Sequence, residues 1–222
     1  MRSLLLVLLL AACSSSNPDP LATCQSVPAE ESGQGTYYAA DGTGNCGFDA
    51  SPNDLMVAAM NAADYATARW CGACLDVVGP MGEIVVRVVD QCPGCAHGDL
   101  DLSQEAFAML SPLSAGRIPI TWQETSCDVT GPVAYRFKEG TNQYWAAIQV
   151  RNHRYAITSL EVNGAAVARV DYNYFVAPTG LGAGPFAVKI TDDRGQQLTD
   201  TGIALGDGVI RSGAAQFAQC SN

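Results

Sequence analysis

Val88-Val89-Asp90-Gln91-Cys92-Pro93-Gly94-Cys95-Ala96-His97-Gly98-Asp99-Leu100-Asp101-Leu102-Ser103 is the stretch on which the reading of this chain turns. A strongly apolar strand ends at Asp90, and Asp101 sits between two leucines ahead of a short helix over Ser103 to Leu110 that Ser103 can cap. Both carboxylates stand where apolar neighbours partly desolvate them. A half-buried carboxyl can keep its proton and act as a general acid on a glycosidic oxygen. The competing assignments are a turn-stabilising carboxylate for Asp90 and a helix-start residue for Asp101. Hydrolysis with inversion needs a second carboxylate about 6.5 to 9.5 Å away. Asp41 and Asp49, in the Gly-rich stretch upstream, are the candidates.

Working outward, Cys71-Gly72-Ala73-Cys74 and Cys92-Pro93-Gly94-Cys95 are spaced like a zinc ribbon. Trp70-Cys71-Gly72-Ala73-Cys74 also looks like a redox site, which needs a helix directly after the motif. Instead Leu75-Asp76-Val77-Val78, a Gly79-Pro80-Met81-Gly82 turn and Ile84 to Val89 spell a β-hairpin. Zinc and redox roles are therefore secondary to structural disulfides, and no metal or cofactor is expected.

The compartment supports this. Arg2 followed by Leu4 to Leu10 is a short export signal, and Leu10-Ala11-Ala12-Cys13 resembles a bacterial lipobox in which Cys13 is lipidated. The alternative is an ordinary signal peptide cut after Ala12. Lipidation leaves eight of the nine cysteines, an even number for a disulfide framework outside the cytoplasm. The reading is a signal peptide over 1–12, a linker over 13–32 with a flexible, polar, Pro-bearing start, a first domain over 33–129 and a second over 130–222. A membrane is met only through the lipid anchor, since the apolar run is about half the length that spans a bilayer. Charged residues make up 15%, against roughly 25% in an average soluble domain, and 22 Gly and 11 Pro punctuate the chain, as in a turn-rich all-β protein. A net charge of -10 excludes nucleic acid as a natural partner and favours neutral ligands such as glycans.

The first domain alternates short β-like runs with turns and two short helices, Asn53 to Met60 and Ser103 to Leu110. After Gly131-Pro132 only strands and turns are expected: Trp145 to Val150, a turn over Arg151 to Arg154, Tyr155 to Val162, Val167 to Phe175, and Phe186 to Thr191 with clean period-two alternation. About 90 residues of short strands at this spacing predict a β-sandwich.

Three runs in the first domain, Gly35-Thr36-Tyr37-Tyr38, Cys71-Gly72-Ala73-Cys74 and the stretch from Val89 to Ser103, are similar to the six-stranded double-psi β-barrel of expansins and family 45 glycoside hydrolases. Tyr135 to Gly140, Tyr144 to His153 and Val170 to Phe175 resemble the immunoglobulin-like, cellulose-binding β-sandwich of bacterial expansins. The resemblance implies a non-hydrolytic, wall-loosening protein that is exported, monomeric and binds cellulose and associated wall polysaccharides. It puts Asp101 on the family's essential acid, Thr36 and Asp90 on the polar groove around it, Tyr144, Trp145 and Tyr172 on the aromatic platform, and Lys138 on a basic contact beside the platform. The other assignment for these aromatics is sandwich core. Tyr144 and Trp145 are neighbours, so both can face a ligand only at a strand end or bulge. The resemblance also implies the pairs Cys46–Cys71, Cys74–Cys127, Cys92–Cys95 and Cys24–Cys220.

Departures stand beside it. Cys92 replaces a tyrosine of the best-matched bacterial relatives and Tyr38 a serine. In the hydrolases the base follows Thr-x-Tyr-x-Asp, whereas Thr36-Tyr37-Tyr38-Ala39 is followed by Ala40, with Asp41 one residue late. The enzyme alternatives are an endoglucanase with Asp101 as acid and Asp41 as base, or a lytic transglycosylase that needs Asp101 alone.

Overall fold

The computed structural model describes residues 24–25 and 28–220. The signal segment, Cys13 and most of the expected linker lie outside these residues. Six strands form a closed barrel: β1 (Glu31–Tyr38), β2 (Val57–Asn61), β3 (Cys74–Gly79), β4 (Gly82–Cys92), β5 (Leu100–Ser103) and β6 (Ile118–Thr125). They are ordered β1-β5-β2-β4-β3-β6. β1 with β5 and β2 with β4 pair in parallel, and the remaining neighbours are antiparallel, as in the double-psi arrangement. β1 begins at Glu31, two residues inside the expected linker.

One helix expectation fails. The segment Asn53 to Met60 contains no helix; its second half enters β2, and the four-residue helix α1 (Ala62–Tyr65) follows. β2 is buried at all five positions between β4 and β5, so Val57-Ala58-Ala59-Met60 lacks the alternation that marks a half-exposed strand. A continuous apolar run of this length does not distinguish strand from buried helix. The second helix, α2 (Gln104–Leu110), forms as its sequence indicates: the Ser103 side chain accepts the Ala106 N–H, and Ala106, Phe107 and Leu110 face the core. Tyr37 of β1 packs on Phe107 with ring centroids 4.8 Å apart.

The second half folds as β7 (Ala134–Phe137), β8 (Ala146–Arg151), β9 (Ile157–Val162), β10 (Ala165–Arg169), β11 (Phe175–Ala177), β12 (Phe186–Asp192), β13 (Gln197–Ile203) and β14 (Ile210–Ser212). Here too one expectation needs correction. Val167 to Phe175 is not a single strand, because β10 stops at Arg169 and a tight turn reverses the chain. Val170 N–H donates to Tyr174 O and Asn173 N–H to Val170 O, with Asn173 left-handed at φ 63°. β10 pairs with β9 through its first residues and with β11 through its last, so it joins the two halves of the sheet. Those halves enclose one core, Tyr135, Phe137, Ile148 and Val150 meeting Leu160, Val162, Val188 and Ile190. The clean alternation of Phe186, Val188 and Ile190 puts all three inside.

The disulfides are Cys46–Cys71, Cys74–Cys127, Cys92–Cys95 and Cys24–Cys220. All four sulfurs of the ribbon-like spacing are thereby consumed. The two domains meet through buried polar contacts. Glu124 of β6 accepts the Ala156 N–H at 2.8 Å and lies 2.7 Å from the Arg194 guanidinium, both side chains almost fully enclosed. Burial first, and then the Asp193 charge, push the Glu124 carboxyl up to about 8.

Candidate functional site

Register brings Thr36, Asp90 and Asp101 together. Thr36 of β1 lies opposite Asp101 of β5, and the Thr36 hydroxyl donates to Asp101 Oδ1 at 2.6 Å. On its other side Asp101 lies opposite Ala59 of β2, which in turn lies opposite Asp90 of β4. A small side chain therefore separates the two carboxylates across three neighbouring strands. Both are half-buried. Asp90 Oδ1 accepts the N–H groups of Asn45 (2.6 Å) and Gln91 (2.8 Å). Gly44 closes over it so tightly that a Cβ there would meet Asp90 Cβ at 2.4 Å.

Tyr38 stands two residues beyond Thr36 and shares its face of β1. Its hydroxyl is buried with no hydrogen-bond partner. Burial, and after it the charges of Asp90, Asp101 and Asp41, hold the phenol well above its ordinary range. Tyr38 thus places Asp41 in the same electrostatic neighbourhood as the two strand carboxylates. Asp41 itself is exposed, and Oδ1 accepts from the Thr43 N–H and hydroxyl, which lower its pKa. Asp49, the other candidate second carboxylate, is not in the groove. It forms ion pairs with Arg136 and Arg151 of the second domain, and its hydrogen bond to Arg151 lowers its pKa.

The aromatic residues sit in turns at the ends of strands. Tyr144 and Trp145 precede β8, in a turn where Asn142 Oδ1 accepts both their N–H groups. That position frees neighbouring side chains from the alternation of a regular strand. Gly180, left-handed at φ 77°, backs the turn, and a Cβ there would meet Gln143 O at 2.1 Å. Tyr144 is 74% exposed, Trp145 half-buried and Tyr172 38% exposed. Lys138 Nζ lies 5.7 Å from the Tyr174 ring centroid, and the Tyr174 and Tyr172 rings are 5.9 Å apart. Tyr174 links Lys138 to Tyr172; the Tyr172-Asn173-Tyr174 pairing around a turn was its only sequence signal.

The groove and these aromatics are joined by four residues, Gly44 to Gly47. Gly44 covers Asp90, and the Asn45 amide donates to Asp171 O beside Tyr172. Cys46 O accepts from Gln149 and Asn173, and Gly47 lies against the Tyr174 ring. Tyr65 Oη donates to the same Asp171 carbonyl. Asn45 and Tyr65 carry no chemical motif, so pattern reading passed them over.

The family model for the expansin N-terminal domain matches residues 1–118. Expansin-YoaJ of Bacillus subtilis is 38% identical over 177 residues, covering 74% of this chain and 76% of its own. A crystal structure of the expansin of Clavibacter michiganensis superposes with a TM-score of 0.79 at 36% identity, over 87% of this chain and all of that one. An aspartate-to-asparagine variant of that expansin, solved in complex with cellohexaose, gives the same score at 37% identity. A closed barrel carrying Thr36, Asp90 and Asp101 on neighbouring strands, joined to a β-sandwich with exposed aromatics and matched over both halves, belongs to a chain of the expansin family.

Proposed function

We propose that the chain is a non-hydrolytic wall-loosening protein that binds cellulose and related glucans along one surface, from the Thr36–Asp90–Asp101 groove to Lys138, Tyr144, Trp145 and Tyr172. The observation that carries this is the Gly44 to Gly47 segment, which touches Asp90 at one end and Tyr174 at the other. A glucan lying on the aromatics can thus continue to the carboxylates without crossing a mobile hinge. Flat aromatic faces suit the apolar faces of glucose rings, and such contacts add about 0.5 to 1.5 kcal/mol each beyond area burial. Asp101, hydrogen-bonded to Thr36, offers its second oxygen to a sugar hydroxyl, competing with the bonds between neighbouring glucan chains. The cellohexaose bound by the Clavibacter variant supports this ligand class. Export, anchoring through Cys13 and a monomeric state complete the reading.

A hydrolytic reading keeps one supporting observation, the charge of Asp41 acting on the same phenol as Asp90 and Asp101. Reducing-end release from soluble and insoluble cellulose separates the two. No release above an Asp101→Asn control is expected. Asp101-dependent soluble oligosaccharides would promote Asp41 to a base and overturn the non-hydrolytic reading.

A further inference from the structure

Away from the groove and the aromatics, one cleft of about 420 Å³ is lined by Ala66, Thr67, Arg69, Thr158 and Arg169. The first three come from the barrel domain, the last two from β9 and β10, so the cleft straddles the domain junction. Arg169 is mostly enclosed. Nη1 donates to Ala68 O at 2.9 Å, Nη2 donates to Ile157 O, and the guanidinium lies 4.6 Å from the Phe175 ring centroid. None of these partners carries a charge. Its Nε is buried without a partner, and among the described residues no carboxylate lies within ion-pairing distance of Arg169.

Arg69 adds a second positive charge. Its side chain is 45% exposed, stacks 5.6 Å from the Trp70 ring centroid, and has one acidic neighbour, Asp193, at 3.9 Å. Asp193 is enclosed and also faces Arg194 at 3.7 Å. Burial, then the Arg69 charge, lower the Arg169 pKa to about 10, which leaves the Arg169 guanidinium cationic at neutral pH. In a chain with 22 acidic and 12 basic residues, a half-enclosed pair of cations with so little counter-charge is not what composition alone produces.

The wall of the cleft is strained as well. Ala66, Thr67 and Ala68 are all left-handed, at φ 42°, 57° and 61°. For residues with a Cβ this conformation is sterically costly. Such strain persists where surrounding contacts fix it, and it gathers at ligand sites. Here Arg169 holds the Ala68 carbonyl, and the turn brings Thr67 to the rim beside Arg69.

We propose that this cleft is an oxyanion site that takes a carboxylate of an acidic sugar, or a phosphate group of the same charge and donor demand, between Arg69 and Arg169. The planar donors of guanidinium groups match such oxyanions, and the cleft volume falls in the range of small-molecule sites. Thr67 can supply a further donor. Thr158 cannot, because its hydroxyl already donates to backbone carbonyls at Thr191 and Asp192. Since both domains contribute, an occupied site would brace the junction. The inference stands apart from the glucan reading, because a neutral glucan has no charge for this site.

The test is thermal melting and titration calorimetry of the full chain with galacturonate, inorganic phosphate, glucose and chloride, all at one ionic strength. A ligand that binds only the folded chain raises Tm by a few degrees once it is well above Kd. Galacturonate or phosphate should do so while glucose and chloride do not. Arg69→Gln, at a half-exposed position, should remove the effect, whereas Lys189→Gln on the sandwich should keep it. A shift with galacturonate alone identifies the sugar as the source, and one with phosphate alone identifies the inorganic ion. No shift beyond chloride, or one that Arg69→Gln retains, overturns the proposal. Cellulose pull-down on the same samples reports the glucan surface separately.

Discussion

The barrel carboxylates and the aromatic surface are both proposed to meet glucan, yet they are built in opposite ways. Thr36, Asp90 and Asp101 belong to strands of a closed barrel, and each is fixed by register against its neighbour. Tyr144, Trp145 and Tyr172 stand in turns beyond strand ends, where Asn142 Oδ1 holds the Tyr144 and Trp145 N–H groups and the Asn45 side chain holds the Asp171 carbonyl. The lesson concerns separability. Aromatic rings in turns should be removable with little loss of fold, whereas at the barrel carboxylates only a near-isosteric change such as Asp101→Asn should leave the strand pairing intact.

Four experiments can break or sharpen that contrast. The largest effect is expected for Asp101→Asn: wall-extension activity should fall to background while Tm and cellulose pull-down stay near wild type. Retained extension would remove Asp101 from the functional surface. Next, replacing Cys46 and Cys71 by Ser removes a buried cross-link under the groove and should cost about 2 to 4 kcal/mol in denaturant melts. An unchanged midpoint would mean that barrel packing alone holds the Gly44 to Gly47 segment.

Smaller losses are expected on the aromatic side. Trp145→Ala should weaken cellulose binding about tenfold and Tyr172→Ala somewhat less, at unchanged Tm. Full binding by the double variant would move the aromatic surface elsewhere. The smallest effect is a pH slope at the domain junction. Glu124 is raised from its ordinary 4.5 to about 8, so its contribution to stability is complete below pH 4.5 and is lost as pH rises through about 8. His153 acts in the opposite direction: burial lowers it from 6.5 to about 4, so its contribution is present above 6.5 and is lost as pH falls through about 4. Between pH 6.5 and 8.5 the Glu124 slope should therefore dominate, with Tm falling as pH rises. Glu124→Gln should flatten that fall, and an unaltered slope would assign it to another group.

Part of this was legible from residues alone because its signals are local. The Leu75 to Val89 hairpin, the Ser103 cap and the alternation through Phe186, Val188 and Ile190 each state their structure within about fifteen residues. The Asn53 to Met60 segment misled for the converse reason. Burial on both sides of β2 comes from β4 and β5, and erases the periodicity that would have named a strand. The break at Val170 to Tyr174 was equally hidden, since Asn173 adopts its left-handed turn among residues that otherwise favour strand.

The amino-acid sequence by itself determined the all-β character, the eight-cysteine framework and the residues from which a glycan surface could be assembled, because composition, motif spacing and family resemblance need no knowledge of distant contacts. Only the tertiary structure decided that Asp49 belongs to the domain junction, that the Tyr38 hydroxyl is buried without a hydrogen-bond partner, that Asn45 and Tyr65 tie the barrel carboxylates to the turn at Tyr172, and that Arg69 and Arg169 share a cleft. Each of these joins residues that strand register or domain packing brings together across long stretches of chain, and no local pattern encodes such a meeting.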